Sequence, residues 1–164
     1  MKPSDTLLTI LPVAALAAGL ATTTMPGTAH ADGHTATAEH GTMNVAKSPT
    51  CGCCTAWVAL ARQEGFDVET TDTGDLARVK SDVGLPSDLW SCHTATIAGY
   101  VVEGHVPFDA IERLLEERPE ITGISVPGMP GGSPGMGNDP DARFDVIAFG
   151  GTAGAGEIYY QAGR

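Results

Sequence analysis

The sequence predicts a mixed α/β domain in which a βαβ unit runs into a ββα unit and an added C-terminal β-hairpin closes the chain. Three observations predict it. Apolar residues switch repeatedly between alternation and helical spacing from Met43 to Leu115. Ala98-Gly99 separates two strand-like runs at hairpin distance. After a loop rich in Gly, Pro and Met come two more strand-like runs, Phe144–Phe149 and Glu157–Gln161.

The elements follow in order. Met43–Ala46 reads as a short strand, and Ser48-Pro49-Thr50 as a turn ending in a helix cap at Thr50. The helix after it places Trp57, Leu60, Ala61 and Glu64 on one mostly apolar stripe, and Gly65 ends it. Phe66–Thr71 alternates as a strand, with Phe66, Val68 and Thr70 on one face. A second helix spans about Asp75–Val83, turning Leu76, Val79 and Val83 inward, with Gly84-Leu85-Pro86 as its stop. Thr94–Ile97 and Tyr100–Val106 form the predicted hairpin. Pro107 suits the first turn of a third helix that buries Phe108, Ile111, Leu114 and Leu115 and ends by Pro119. Strand, helix, strand, helix, hairpin, helix is the thioredoxin-like plan. No internal repeat is visible.

Residues 1–31 read as a secretory signal peptide: Lys2 in a short n-region, an apolar run from Leu7 to Ala21, and the small-residue cleavage pattern Ala29-His30-Ala31. The run is short of the ~20 apolar residues that span a bilayer, although Asp5 weakens the basic n-region and leaves a retained anchor as the alternative. Residues 32–42 form a polar leader, and residues 43–164 one domain. Export, to the periplasm or beyond, is the expected localisation, with no membrane contact after cleavage. A net charge of −11 and a pI of about 4.6 exclude the phosphate-neutralising surface that nucleic-acid binding requires. A hydrophobic content of 42% supplies a core and excludes a disordered chain.

The chemistry is concentrated in the cysteines. Three of the four lie in Cys51-Gly52-Cys53-Cys54, at the predicted start of the first helix, and the fourth stands in Ser91-Cys92-His93-Thr94. Neighbouring cysteines staple a chain poorly, and an oxidising compartment turns stray thiols into disulfides. A retained three-thiol cluster therefore points to metal binding or redox cycling. Backbone N–H groups and the dipole at a helix N-terminus favour thiolate over thiol. Cys51 and Cys54 are three apart and share a helix face, whereas regular geometry points Cys53 elsewhere. In this topology the segment before the third strand packs opposite the first helix's N-terminus, so Cys92 is expected beside the trio. Soft thiolates select Cu(I), zinc or iron–sulfur clusters. Zinc sites are commonly built from two separate CxxC knuckles, so three donors on one arc favour copper(I).

Other readings stay open: a thiol–disulfide oxidoreductase using Cys51 and Cys54, and a structural zinc or iron–sulfur module. In the loop Pro127–Gly137, Met129 reads equally as a thioether ligand or an apolar cover, and for Met136 the cover is preferred. His93 is an auxiliary donor. His34 and His40 read as solvated bystanders, His105 as a structural residue at a strand end, and Trp57 and Trp90 as packing residues. No hydrolase-type triad or phosphate loop is present, and the glycines at Gly150, Gly151 and Gly154 lack the strand–turn–helix setting of a nucleotide site.

Lys47-Ser48-Pro49-Thr50-Cys51-Gly52-Cys53-Cys54, Ser91-Cys92-His93-Thr94, Gly104-His105-Val106-Pro107 and Val126-Pro127-Gly128-Met129-Pro130 together resemble the CopG-like copper-resistance proteins, from about Met43 to Gln161. The resemblance implies an exported thioredoxin-like protein that binds copper through Cys51, Cys53, Cys54 and Cys92, in a cysteine-bridged multinuclear cluster. Beyond the resemblance, our reading of the chain adds electron exchange with copper and another exported copper-handling protein as partner. The resemblance implies nothing for the leader histidines.

Overall fold

The computed structural model describes residues 40–163. The expected signal peptide, residues 1–31, lies outside the described residues, as do residues 32–39 of the expected leader, His34 among them. Among the described residues no helix is long and apolar enough to cross a membrane.

The chain is mixed α/β, with strand β1 (Met43–Lys47), helix α1 (Gly52–Gln63), β2 (Val68–Asp72), α2 (Leu76–Asp82), the hairpin β3 (His93–Ile97) and β4 (Tyr100–Glu103), α3 (Phe108–Glu117), and then β5 (Gly123–Ser125), β6 (Phe144–Phe149) and β7 (Glu157–Ala162). The strands form one sheet in the order β2-β1-β3-β4-β5-β6-β7. β1 pairs parallel to β2 and antiparallel to β3, and β3 pairs antiparallel to β4. β5 pairs parallel to β4 and links it to the C-terminal hairpin β6–β7, which carries a register shift at Val146/Ile147.

β5 has no counterpart among the expected strands. It is three residues long and fully buried, so it shows no alternation. It also begins with a glycine, because a Cβ at Gly123 would run into the Val101 carbonyl of β4. Two expected strands shift at their ends. Phe66 N–H donates to the Ala61 carbonyl at 3.1 Å and so closes α1 before β2 starts. β4 stops at Glu103, where Gly104 turns the chain with φ 74.

The sheet is packed on both faces, and β4 is accordingly buried throughout. Trp57, Val58 and Ala61 of α1 and Ala110, Ile111, Leu114 and Leu115 of α3 share one cluster with Val45, Val102, Val146 and Ala148. Leu85, Leu89, Val101 and Phe149 form a second cluster, so successive residues of β4 and β6 belong to opposite faces. The buried stripe of α1 is Cys54, Trp57, Val58 and Ala61; Leu60 is half-buried and Glu64 exposed, in place of the expected inward positions. In α2 the expected inward residues Leu76, Val79 and Val83 are half-buried, and the buried residue is Lys80. Its ammonium lies 2.5 Å from Glu103 Oε1, with 3% and 0% of the two side chains exposed.

Candidate metal centre

α1 starts one residue later than its expected cap. Cys51, not Thr50, is the N-cap: its backbone is extended, and its sulfur accepts the Cys54 N–H at 3.3 Å. That conformation decides the geometry of the trio. Because Cys51 stands outside the helix, its side chain swings over the first turn and lies 3.4 Å from Cys53 Sγ. Cys53 therefore faces the cluster, contrary to the expectation from regular helical geometry. Cys51 and Cys54 are joined by a disulfide, while Cys53 and Cys92 are free thiols.

Cys92 arrives from the segment before β3, and Cys54 Sγ lies 3.7 Å from its carbonyl oxygen. The four sulfurs of Cys51, Cys53, Cys54 and Cys92 all lie within 4.8 Å of one another. The Cys92 segment is held by a buried polar network. Glu103 Oε1 accepts the Ser91 N–H at 2.6 Å as well as the Lys80 ammonium, and Glu103 Oε2 accepts the Thr94 hydroxyl at 2.7 Å. Lys80 also donates to Thr94 Oγ1 at 3.0 Å. Burial pushes the Glu103 carboxyl upward, and Lys80, Thr94 and Ser91 pull it back. On the outer side, the Ser91 hydroxyl donates to the Gly128 carbonyl, and Gly128 N–H returns a bond to the Trp90 carbonyl at 3.1 Å.

Two histidines complete the site. His105 Nε2 is 2.8 Å and His93 Nδ1 3.4 Å from Cys92 Sγ, and the two rings meet edge-on at 5.1 Å. His105 Nδ1 lies 2.7 Å from the Pro134 carbonyl, which can only accept. Nδ1 therefore carries the proton, and Nε2 is left as a lone pair facing the sulfur. This corrects the reading of His105 as a purely structural residue. The signal was its place in Gly104-His105-Val106-Pro107; the direction of its lone pair was invisible, because it is set by a loop 29 residues away. His93 is fully buried against Trp57, with ring centroids 4.7 Å apart, and its Nε2 has no hydrogen-bond partner. Trp57 is itself buried, donating its indole N–H to the Val106 carbonyl at 3.0 Å.

Burial governs the protonation states of the two imidazoles and of the Cys92 thiol. Burial, then His105 and Lys80, push His93 down to about 3, and burial also lowers His105, so both imidazoles are neutral at pH 7. Burial, with the Cys53 thiol beside it, pushes Cys92 up to about 12. Cys92, unlike the trio, has no helix N-terminus to stabilise its thiolate. At pH 7 it keeps its proton.

The loop Pro127–Gly137 covers the site. Gly135 lies flat on the first turn of α1: a Cβ there would sit 2.8 Å from the Cys53 carbonyl and 2.9 Å from the Trp57 nitrogen, and its φ is +83. Met129, 55% exposed, rims an open cavity of about 250 Å³ lined also by Trp90, Ser91, Cys92 and Gly128. Met136 is half-buried and bonds through its backbone to Ser133 at 2.8 Å and Gly132 at 3.4 Å.

A family model described as "Protein of unknown function, DUF411" matches residues 89–136, a segment that carries Cys92, His93, His105 and the covering loop. Two solved structures of copper resistance protein CopG, forms 1 and 2, are each 36% identical to this chain over 73% of its length, with TM-scores of 0.67 and 0.68. The chain belongs to the CopG family. It spans 95% and 96% of those two CopG chains, so the shared architecture is that of the whole relative. No curated protein sequence matches. Against this CopG-family frame, the residues that the structure brings together are Cys51, Cys53, Cys54, Cys92, His93 and His105.

Proposed function

We propose that this protein is an exported copper-binding protein of copper resistance, holding copper(I) through the thiolates of Cys51, Cys53, Cys54 and Cys92. The observation that carries the reading is the convergence of four cysteine sulfurs within 4.8 Å in a CopG-family chain. Thiolate sulfur is the soft donor that selects copper(I). Three donors on one helical turn and a fourth across the cleft suit sulfurs that bridge several ions better than a single tetrahedral centre. Two of the four thiols come from the Cys51–Cys54 disulfide, reduced by thiol–disulfide exchange with an external dithiol that is itself oxidised to a disulfide. The neutral His105 ring faces the Cys92 sulfur and accepts its proton contact, and the Pro127–Gly137 loop holds that ring through the Pro134 carbonyl. The ions are cargo, and oxidation of the Cys51 and Cys54 thiols to their disulfide would release two electrons and two protons, enough to reduce two copper(II) ions to copper(I).

The test is an anaerobic copper(I) titration of fully reduced protein with thiol counting, on the wild type and on each Cys→Ser variant. Uptake of several ions in one cooperative step is expected, and Cys53→Ser lowers the stoichiometry. An unchanged copper count in Cys53→Ser contradicts the reading.

The Cys51–Cys54 disulfide favours one second reading, thiol–disulfide exchange with copper binding as a secondary property. It requires turnover of a disulfide substrate without metal and indifference to Cys92→Ser.

A further inference from the structure

With Cys51 and Cys54 joined, the four-sulfur site is short of two donors, yet a second donor set is intact in the same structure. Cys92 Sγ, one ring nitrogen of His93 and one of His105 lie within 4.8 Å of one another. We infer that the disulfide form of this protein keeps a Cys-His-His site, Cys92–His93–His105, that binds one divalent ion of borderline softness, of the zinc class.

Three observations carry the site. The donors are preset: the Pro134 carbonyl fixes the His105 tautomer so that Nε2 offers its lone pair toward Cys92. A backbone carbonyl on the far ring nitrogen is the usual support of a metal-binding histidine. His93 is wholly buried, with no hydrogen-bond partner at Nε2. Its other nitrogen faces the Cys92 sulfur at 3.4 Å.

The spacing also fits. Around a tetrahedral ion with bonds of about 2.3 Å to sulfur and about 2.1 Å to nitrogen, sulfur–nitrogen edges are about 3.6 Å. The Cys92–His93 edge of 3.4 Å is already near that value. The 2.8 Å Cys92–His105 edge is the S–H···N contact that the ion replaces, and it must open by roughly 0.8 Å. Three protein donors leave a fourth position for water. Imidazole nitrogen with one thiolate is harder than a four-thiolate set, so the preference moves from copper(I) to divalent ions when Cys51 and Cys54 are joined. Sharing Cys92 makes the two sites mutually exclusive.

Cobalt(II), a redox-quiet spectroscopic stand-in, tests this on the full chain with the disulfide intact. One equivalent is expected to bind with a sulfur-to-cobalt charge-transfer band and four-coordinate d–d bands, and zinc(II) displaces it. Cys53→Ser keeps the spectrum, Cys92→Ser loses the charge-transfer band, and His105→Gln or His93→Gln weakens binding about tenfold or more. Absence of the band in the wild type, or undiminished affinity in both histidine variants, overturns the inference. Because a buried histidine variant can misfold, the zinc absorption edge of the wild-type disulfide form is the second readout. Imidazole scattering supports the site, and a shell without it overturns the site. Copper(I) uptake by the reduced protein is measured in parallel: its failure would overturn the proposed function and leave the divalent site standing.

Discussion

Replacing Glu103 by Gln isolates the charge that anchors the Cys92 segment. Glu103 is 0% and Lys80 3% exposed, and Glu103 Oε1 takes both the ammonium at 2.5 Å and the Ser91 N–H at 2.6 Å. Glutamine preserves the shape and an acceptor oxygen at that point, and its amide can donate to Thr94 Oγ1. What is lost is the negative charge opposite a buried ammonium. Removing one partner of a buried pair costs about 3–5 kcal/mol, because the other charge is left uncompensated. That corresponds to roughly two to four decades in the unfolding equilibrium. Urea denaturation of the metal-free disulfide form reads it directly. Lys80→Met in the Glu103→Gln background removes the stranded charge and is expected to restore most of the lost stability, giving a coupling of about 2 kcal/mol or more. A Glu103→Gln variant within about 1 kcal/mol of the wild type, or a double variant no better than the single, would refute the role assigned to the pair.

Gly135→Ala places a Cβ 2.8 Å from the Cys53 carbonyl at a φ of +83, so it should cost about 1–3 kcal/mol and lift the covering loop; unchanged melting and unchanged maleimide labelling of Cys92 would contradict that close packing. His93 has its folded pKa depressed to about 3, so the unfolded chain takes up this proton first. Its contribution to stability is full above about pH 6.5 and is lost as pH falls toward 3, by at most about 5 kcal/mol. Denaturation of the metal-free protein at pH 7, 5 and 4 should therefore show a steeper acid loss in the wild type than in His93→Gln, and parallel curves would contradict the burial argument. Cys92, pushed up to about 12, should alkylate with iodoacetamide at a rate still rising with pH at pH 10 in the metal-free disulfide form; a plateau near pH 9 would show an ordinary thiol.

Much of this architecture is legible in the residues because its signals are local. The Ala98-Gly99 hairpin, the helices after Pro107 and Asp75, and the paired runs at Phe144 and Glu157 each announce themselves within a few positions. Cys92 beside Cys54, 38 residues apart in the chain, was reachable only through the topology that those local signals imply. What stayed hidden depends on distant partners or on a single dihedral. The burial of Lys80 depends on Glu103, 23 residues on, which faces it. The direction of Cys53 follows from the non-helical backbone of Cys51. His105 looks structural until the Pro134 carbonyl fixes its proton. β5 is too short and too buried to alternate.

The copper absorption edge of reduced, copper(I)-loaded protein identifies the atoms bound to copper. Sulfur neighbours are expected around copper in the wild type, with fewer of them in Cys92→Ser. Nitrogen or oxygen neighbours in the wild type, or sulfur that Cys92→Ser leaves unchanged, would rule out copper(I) held by these four cysteines.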